Sequence, residues 1–478
     1  MDKFTPDIIL HLGPFLTTGD YYQLVLVSKS FYYSFIPYLY YHVRIPLNDF
    51  EDTWYRRVRF NDLPVRRFTH AIIENPTLAT LIHSLELYPD YCRGTWRGRS
   101  QLDGLPEEAK YRASLFPYGE SKRKYWRKYY AWKTDLLDKK IHTNSPVEQA
   151  WVGLLLLQLK SLRRLSMPLQ EEGRFYDHTQ KLTVHFDRVI QWAANPKLGI
   201  LKHLTHLSLR PAPIEQGIDG VEAIPLRRLI PFLKIPSLRY LQVREVIEHG
   251  RPTLPDHITS SLAHLRLEQI DEKLSYMPQF LSMCPRLESF SWKQFRLHSK
   301  DSEHYYLNTA RFYAPLQRSR DTLRRLKFIW QDVEFPRPNF FGSVLETIHM
   351  RLSDLVLFHE GTHIPIIPLW ELLPQSLKFL YIEDCLIQSS PMLCDELESL
   401  AAHLFPNCLL LQKVYIQYAL QEQEPGQKCN CMPNRRFPKA VGKAEPVIEE
   451  RLIALKTRFL DLGVEFRVID RGDTVPFP

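Results

Sequence analysis

A chain of 478 residues with 44% hydrophobic and 12% aromatic content can bury a large core, as two to four domains or one long repeat array. Only 18 glycines stand against 35 prolines, which disfavours glycine-rich phosphate cradles and favours many short elements stopped by proline. The net charge of +8 is modest, and the densest apolar run, Val152 to Leu159, is far too short to span a membrane.

Nothing near the start reads as a secretory leader, because Asp7, His11 and Pro14 interrupt the apolar stretch 8–16 and no small-residue cleavage site follows. The Asn75-Pro76-Thr77 glycosylation match is blocked by its proline. Seven cysteines, an odd number spread through the chain, read as reduced thiols in a cytoplasmic or nuclear protein with no membrane partner.

Residues 1–45 hold three short amphipathic segments. Ile8, Ile9, Leu12 and Leu16 recur at helical spacing, interrupted at Gly13-Pro14. Asp20 opens a second segment in which Leu24 and Val27 share a face, and Phe31 and Phe35 continue the pattern beyond Ser28-Lys29. Segments this small cannot enclose a core, and uncovered apolar surface of this kind normally meets a partner.

This stretch resembles a fungal F-box. The resemblance is carried by Phe4, Thr5, Asp7, Ile8, Ile9, Leu12, Leu16, Asp20, Leu24, Val27, Ser28, Lys29, Phe31 and Leu39-Tyr40. Thr5 stands at the family's proline position with Pro6 one place late, and Phe31 or Tyr32 stands for its tryptophan. The resemblance implies docking of an acidic Skp-family adaptor through Ile8, Ile9, Leu12, Leu16, Leu24, Val27 and Phe31. Through that adaptor it implies a cullin–RING ubiquitin ligase, with this chain as a non-enzymatic substrate receptor. The competing reading of the same residues is an ordinary helical cap on a larger domain. Residues 46–80 are expected to be linker helices.

From residue 81 a six-residue phrase returns: an apolar residue, two others, an apolar, one other, an apolar. It occurs as Ile82/Leu85/Leu87, Leu162/Leu165/Met167, Leu204/Leu207/Leu209, Leu238/Leu241/Val243 and Leu262/Leu265/Leu267. It continues as Leu287/Phe290/Trp292, Leu323/Leu326/Phe328, Leu345/Ile348/Met350, Leu377/Leu380/Ile382 and Leu411/Val414/Ile416. Helix-like stretches lie between the copies. The last two apolar residues share one strand face, and a lone strand–helix unit cannot bury that face, so neighbours must stack. The pattern resembles the leucine-rich repeat family, most fully at Leu377 to Ile387 with Cys385 in the Asn/Cys position. Start-to-start spacings from 162 of 42, 34, 24, 25, 36, 22, 32 and 34 predict an irregular, insertion-bearing solenoid. The expected fold is therefore α/β, a short three-helix F-box followed by an irregular leucine-rich solenoid over 81–470 and a tail at 471–478. A non-repeat α/β domain is the alternative.

Residues 90–140 break the rhythm with 13 Lys+Arg against 7 Asp+Glu. Lys122 to Lys133 interleaves bases with Tyr125, Trp126, Tyr129, Tyr130 and Trp132. Such mixtures can bind nucleic acid, and a nucleic-acid-associated or general protein-interaction scaffold using the basic 90–140 stretch of this insertion (90–150), without any ligase role, is the rival function. The plainer reading is a helix whose aromatics pack on the array while its lysines stay wet. No RNA-binding module pattern accompanies it, so nucleic acid is not an expected partner.

His359-Glu360-Gly361-Thr362-His363 matches a zinc-protease pattern that requires a helix. Gly361 weakens that helix and Pro365 stops it, which predicts a polar loop. Cys429-Asn-Cys431 lacks the spacing of zinc knuckles and reads as part of a surface loop over 421–444. No catalytic residue, cofactor or metal is expected.

One face of each strand is left for a ligand. Around the anchors of the nine copies from 165 onward the bases are Arg164, Arg210, Arg244, Arg266, Lys293, Arg325, Lys327, Arg351 and Lys413, against only Glu268 and Glu383. Tyr240, Phe379, Tyr381 and Tyr415 lie among them. The expectation is an acidic or phosphorylated protein segment held chiefly by Arg210, Arg244, Arg266, Arg325, Lys327, Arg351, Tyr240 and Tyr381.

Overall fold

A computed structural model describes residues 11, 15–48, 64–90, 132, 136, 147–169, 184–211, 223–247, 258–270, 276–293, 309–329, 343–356, 365–386, 390–407, 410–419 and 446–469. The chain divides into two compact units. The first is Met1–His249 with Pro255–Leu262, and the second is Gly250–Leu254 with Ala263–Pro478.

Unit 1 opens on two helices with sequence-encoded starts. Thr17 caps α1 (Thr18–Val27): its hydroxyl accepts from the Asp20 N–H at 3.3 Å, while the Asp20 carboxylate accepts from the Thr17 N–H at 2.8 Å. Asp20 is thus the third residue of the helix and closes a reciprocal cap, rather than opening the segment. Ser28 then caps α2 (Lys29–Tyr41), accepting from the Phe31 N–H at 3.2 Å. Val25 and Phe35 are buried between the two helices. The segment expected to form a first helix lies outside the described residues, apart from His11 and the residues from Phe15 onward.

The sheet begins earlier than the repeat phrase. Strand β1 (His42–Asn48) follows α2 without a linker and pairs in parallel with β2 (Ser84–Asp90), Val43 opposite Leu85 and Ile45 opposite Leu87. The stretch expected to be linker helices therefore contains the end of a strand as well as α3 (Pro64–Glu74) and α4 (Pro76–Leu81). Next come α5 (Val147–Gln158), β3 (Arg164–Leu169), α6 (Val184–Ala193), β4 (His206–Pro211), β5 (Ile224–Pro225), α7 (Ile230–Leu233) and β6 (Tyr240–Ile247). The strands pair in parallel in the order β1-β2-β3-β4-β6, with β5 beside β6. Helices α3, α5 and α6 pack in sequence.

Unit 2 repeats the scheme. Its first half is β7 (His264–Ile270), α8 (Met277–Ser282), β8 (Ser289–Lys293), α9 (Thr309–Arg318), β9 (Arg325–Ile329) and β10 (Thr347–Arg351). Its second half is α10 (Leu352–Leu355), α11 (Leu369–Leu372), β11 (Phe379–Leu386), α12 (Ser390–Asn407), β12 (Lys413–Ala419), α13 (Pro446–Asp461) and β13 (Glu465–Ile469). All seven strands are parallel and adjacent in chain order, which is the solenoid-like α/β organisation that the phrase requires. Arg451 of α13 reaches Asp395 at 2.6 Å and Glu398 at 2.9 Å, tying the last helix to α12.

Every copy of the phrase is a strand. None of its twenty inward anchors is more than 2% exposed, and adjacent anchors stand directly opposite, as in Leu265–Phe290–Leu326–Ile348–Leu380–Val414. A second device fixes the stacking. A hydroxyl just before the leading apolar residue donates to the carbonyl of the previous copy's leading residue. Ser237 bonds Leu204 O at 2.9 Å, Ser261 bonds Leu238 O at 3.1 Å, Thr322 bonds Leu287 O at 2.8 Å and Ser376 bonds Leu345 O at 2.7 Å.

Trp132, at the end of the basic aromatic stretch, is fully buried. Its Nε1 donates to Ala150 O at 3.1 Å, and its ring stacks on Trp192 with centroids 6.1 Å apart. The preceding residues 122–131 lie outside the described residues. No helix among the described residues is long and apolar enough to cross a membrane.

Trp132 explains Gly153 in α5. A Cβ there would meet Trp132 Cζ2 at 2.8 Å and His185 Cβ at 3.4 Å. Replacing a helical glycine by alanine ordinarily gains about 1 kcal/mol, but overpacking a filled slot costs about 1–3 kcal/mol. Gly153→Ala is therefore expected to lower stability by roughly 1 kcal/mol in urea unfolding followed by tryptophan fluorescence. A stabilised variant would show that the slot yields.

Candidate functional site

The expected adaptor contacts lie on the helix pair of unit 1, and the expected substrate contacts fall in both units. On the helix pair, Leu16, Leu24 and Phe31 turn partly inward and pack against Val25 and Phe35, so they build the pair's own core. Val27 is 58% exposed, and with it stand Leu26 at 64% and Tyr22 at 54%, the latter two one helical turn apart. Phe15 and Tyr33 are also exposed. Tyr22 and Leu26 were not among the expected docking residues, although their i, i+4 spacing on α1 is visible in the sequence. Ile8, Ile9 and Leu12 lie outside the described residues, as do the His359–His363 and Cys429–Cys431 motifs.

The residues expected to hold a substrate divide between the units. In unit 1, Arg210 of β4 reaches back past β3 to donate from Nη2 to Leu87 O of β2 at 3.4 Å. Tyr240 lies parallel to His206 at 5.5 Å, and Arg244 is exposed on β6. Burial pushes the neighbouring Glu245 carboxyl up, against the pull of the Arg244 charge.

In unit 2 the strand registers bring the remaining residues into rows. Arg266, Ser291, Lys327, His349, Tyr381, Tyr415 and Arg467 stand opposite one another on successive strands. A neighbouring row pairs Glu268 with Lys293, and Arg351 with Glu383. Since alternate residues of a strand share a face, both rows lie opposite the leucine anchors. Arg325 is exposed two residues before Lys327, while Phe379, Tyr381 and Tyr415 form a buried aromatic cluster of their own. Lys413 is 3.5 Å from Glu465, and Arg467 pairs with the same carboxylate.

At the centre, His349 Nε2 bonds Glu383 Oε2, and Lys293 Nζ lies 3.6 Å from Glu383 Oε1. The His349 ring meets the Tyr381 ring edge-on at 3.9 Å, and both residues are buried. Desolvation holds the His349 imidazole near 4, against the raising effect of the Glu383 hydrogen bond. Burial pushes Glu383 up, but the His349 hydrogen bond and the neighbouring positive charges outweigh it and hold the carboxyl at about 2. At neutral pH the pair is a neutral imidazole donating to a carboxylate. Lys327 is brought down to about 8 by burial, with Glu383 opposing and Lys293 and Arg266 reinforcing. Arg266 pairs with Glu268 at 2.6 Å.

Four cations (Arg266, Lys293, Lys327, Arg351) thus face two carboxylates (Glu268, Glu383), a surplus of two positive charges on one patch. Such a patch attracts an anion and orders it against buried rings. No family model matches the chain, and no curated protein matches it either.

The pH behaviour follows from His349. Its native imidazole stays neutral down to about 4, whereas the unfolded one takes a proton near its ordinary value of 6.5. The unfolded chain therefore binds more protons in that window, and stability falls as pH drops from 6.5 to 4. Glu383 adds a loss below the ordinary carboxylate value of 4.5, as pH falls through 2. His70 of unit 1, lowered to about 4 by burial and then by the Arg66 charge, acts with the same sign, so the informative quantity is a difference between variants. His349→Gln is expected to flatten the loss of urea midpoint between pH 6.5 and pH 4.5. An unchanged slope would contradict the buried neutral imidazole.

Proposed function

We propose that the chain is the substrate-recognition subunit of a Skp–cullin–F-box ubiquitin ligase, and a non-enzymatic member of the F-box/leucine-rich-repeat kind. The observation that carries this reading is a self-capped helix pair with outward Tyr22, Leu26 and Val27 that runs without a linker into a parallel repeat array. An apolar surface on so small a module suits a partner helix, and the resemblance of residues 4–40 to an F-box makes that partner a Skp-family adaptor. Direct fusion of α2 to β1 gives the docked adaptor a short connection to the array.

The array would hold the substrate, and ligation chemistry would reside in other subunits. The rate gain is one of proximity: bound substrate lysines see a high effective concentration of the charged ubiquitin carrier. The net positive patch around Lys327 and Tyr381 fits an acidic or phosphorylated protein segment. The reduced thiols expected from the sequence suit the cytoplasm or nucleus.

Co-purification with a Skp-family adaptor tests the reading. The wild-type chain is expected to retain the adaptor through size-exclusion chromatography. The double variant Leu26→Asp, Val27→Asp changes two exposed residues, so it should keep its circular dichroism spectrum and lose at least tenfold in adaptor affinity. A folded wild-type chain that binds no adaptor would defeat the proposal.

A further inference from the structure

A cleft of about 350 Å3 opens at the starts of the first four strands of unit 1; Arg164, which only the wider census had marked, lines it, and Tyr240 lies against His206 at its edge. The first residue of each strand and the residue just before it line it: Tyr41-His42, His83-Ser84, Arg163-Arg164 and Thr205-His206. The registers make the second member of each pair a continuous row, His42 opposite Ser84, Ser84 opposite Arg164, Arg164 opposite His206. With parallel strands about 4.8 Å apart, the row is roughly 14 Å long. The next residue in each strand, Val43, Leu85, Leu165 or Leu207, is an apolar anchor position, so alternation places the row on the opposite face.

The lining is rich in donors and holds no carboxylate. Glu86, outside the lining, is 4.0 Å from His42 Nε2 and is engaged by Arg44 at 2.9 Å. Arg163 and Arg164 are exposed and have no carboxylate partner among the described residues. Hydroxyls orient two of the imidazoles: Ser84 Oγ lies 2.8 Å from His42 Nδ1, and Thr205 Oγ lies 2.9 Å from His206 Nδ1. The Tyr41 ring packs on His83 at 5.1 Å. His83 Nδ1 is buried and has no hydrogen-bond partner among the described residues, an unusual condition for a buried polar atom. Backbone N–H groups are already committed. Those of Arg163 and Arg164 both go to His83 O, and those of Thr205 and His206 both go to Arg163 O. Recognition here must come from side chains.

We propose that this cleft binds a phosphate monoester carried on a peptide side chain. Two arginines lining one cleft match a dianionic phosphate by charge, and a guanidinium meets phosphate oxygens by forked geometry, with the flanking imidazoles and hydroxyls completing its hydrogen bonds. The open row across four strands leaves room for the peptide on either side. Tyr41 is the one tyrosine, phenylalanine or tryptophan in the lining, whereas single-stranded nucleic acid calls for several large stacking platforms along a longer basic track. The phosphate assignment stands on the cleft alone; only the choice of a peptide carrier rests on the receptor reading.

The experiment titrates the full-length chain with fluorescent nine-residue peptides centred on phosphoserine, their unphosphorylated counterparts, inorganic phosphate and a twelve-nucleotide RNA. The phosphopeptides are expected to bind at least tenfold tighter than the unphosphorylated set, with inorganic phosphate competing only weakly. Arg163→Ala, Arg164→Ala should remove at least tenfold of that affinity, while the equally charged loss Arg286→Ala, Arg320→Ala in unit 2 changes it less than twofold. Indifference to phosphorylation, or to the paired arginine change, overturns the site. Phosphate competing as well as the peptide, or RNA binding more tightly, overturns the peptide carrier. Adaptor co-purification on the same preparations separates the two proposals, because the cleft variants should retain adaptor. A wild type that binds phosphopeptide but no adaptor would fail the receptor reading and leave the cleft standing.

Discussion

The structure depends on keeping the inward anchors of each parallel strand opposite those of the next. A strand alternates faces with period two, so a slip of one residue would expose Leu380 and Ile382 and bury Tyr381 and Glu383 against the leucines. Hydrophobic stacking alone would penalise that slip, and two polar devices reinforce it. One carbonyl per copy accepts two consecutive N–H groups from the next, as Glu288 O does from Arg324 and Arg325 and Glu346 O does from Lys378 and Phe379. The serine and threonine staples before the leading residues fix the turn into each strand. With register held inside six residues, the remainder of each repeat is free to vary in length. Spacings from 22 to 80 residues are tolerated because the entropy of closing a longer connection grows only logarithmically.

This division of labour decides what could be read from the sequence. The ten phrases were legible because each anchor is buried by neighbours on both sides, which leaves a strict apolar requirement at fixed spacing. The two end strands were not. Val468 of β13 is 47% exposed and Gly463 stands at the leading position, so the outermost copy loses its signature where only one neighbour packs on it. In β1 the leading position falls on Tyr40, inside α2, and the phrase merges with the helical pattern before it. The helix pair shows the opposite limit. Spacing identified Leu16, Leu24, Val27 and Phe31 as apolar and on shared faces. It could not separate those that fill the pair's interior from those left outside, because a two-helix unit has barely more than one face to bury.

The charged patch was legible as an excess of bases but not as a network. Glu268 and Glu383 are distant in sequence from the cations they temper, and they meet them only through register. The arrangement is also more constrained than a solvated row of arginines. His349 is too buried to carry a charge at neutral pH, so it serves Glu383 as a neutral donor and keeps that carboxylate ionised. Glu383 in turn offsets the burial of Lys327 and holds Lys293. Networks of this type contribute little net stability compared with an apolar core, yet removing a single member leaves an uncompensated buried charge. Their persistence on a face opposite the hydrophobic anchors is more naturally tied to holding cations at set positions than to folding.

The two faces of each strand thus answer to different demands. Leu85, Leu165 and Leu207 must be apolar and opposite one another, whereas Ser84, Arg164 and His206, one residue earlier in the same strands, carry no such requirement. A row of outward residues can be rewritten one strand at a time without disturbing the stack beneath it. Each substitution moves one polar group by a fixed step of about 4.8 Å along a line set by the sheet. The positional accuracy of a recognition surface is then inherited from the core. That explains how an array with such uneven repeat lengths can still present ordered rows of side chains, in one unit as paired charges and in the other as a line of donors.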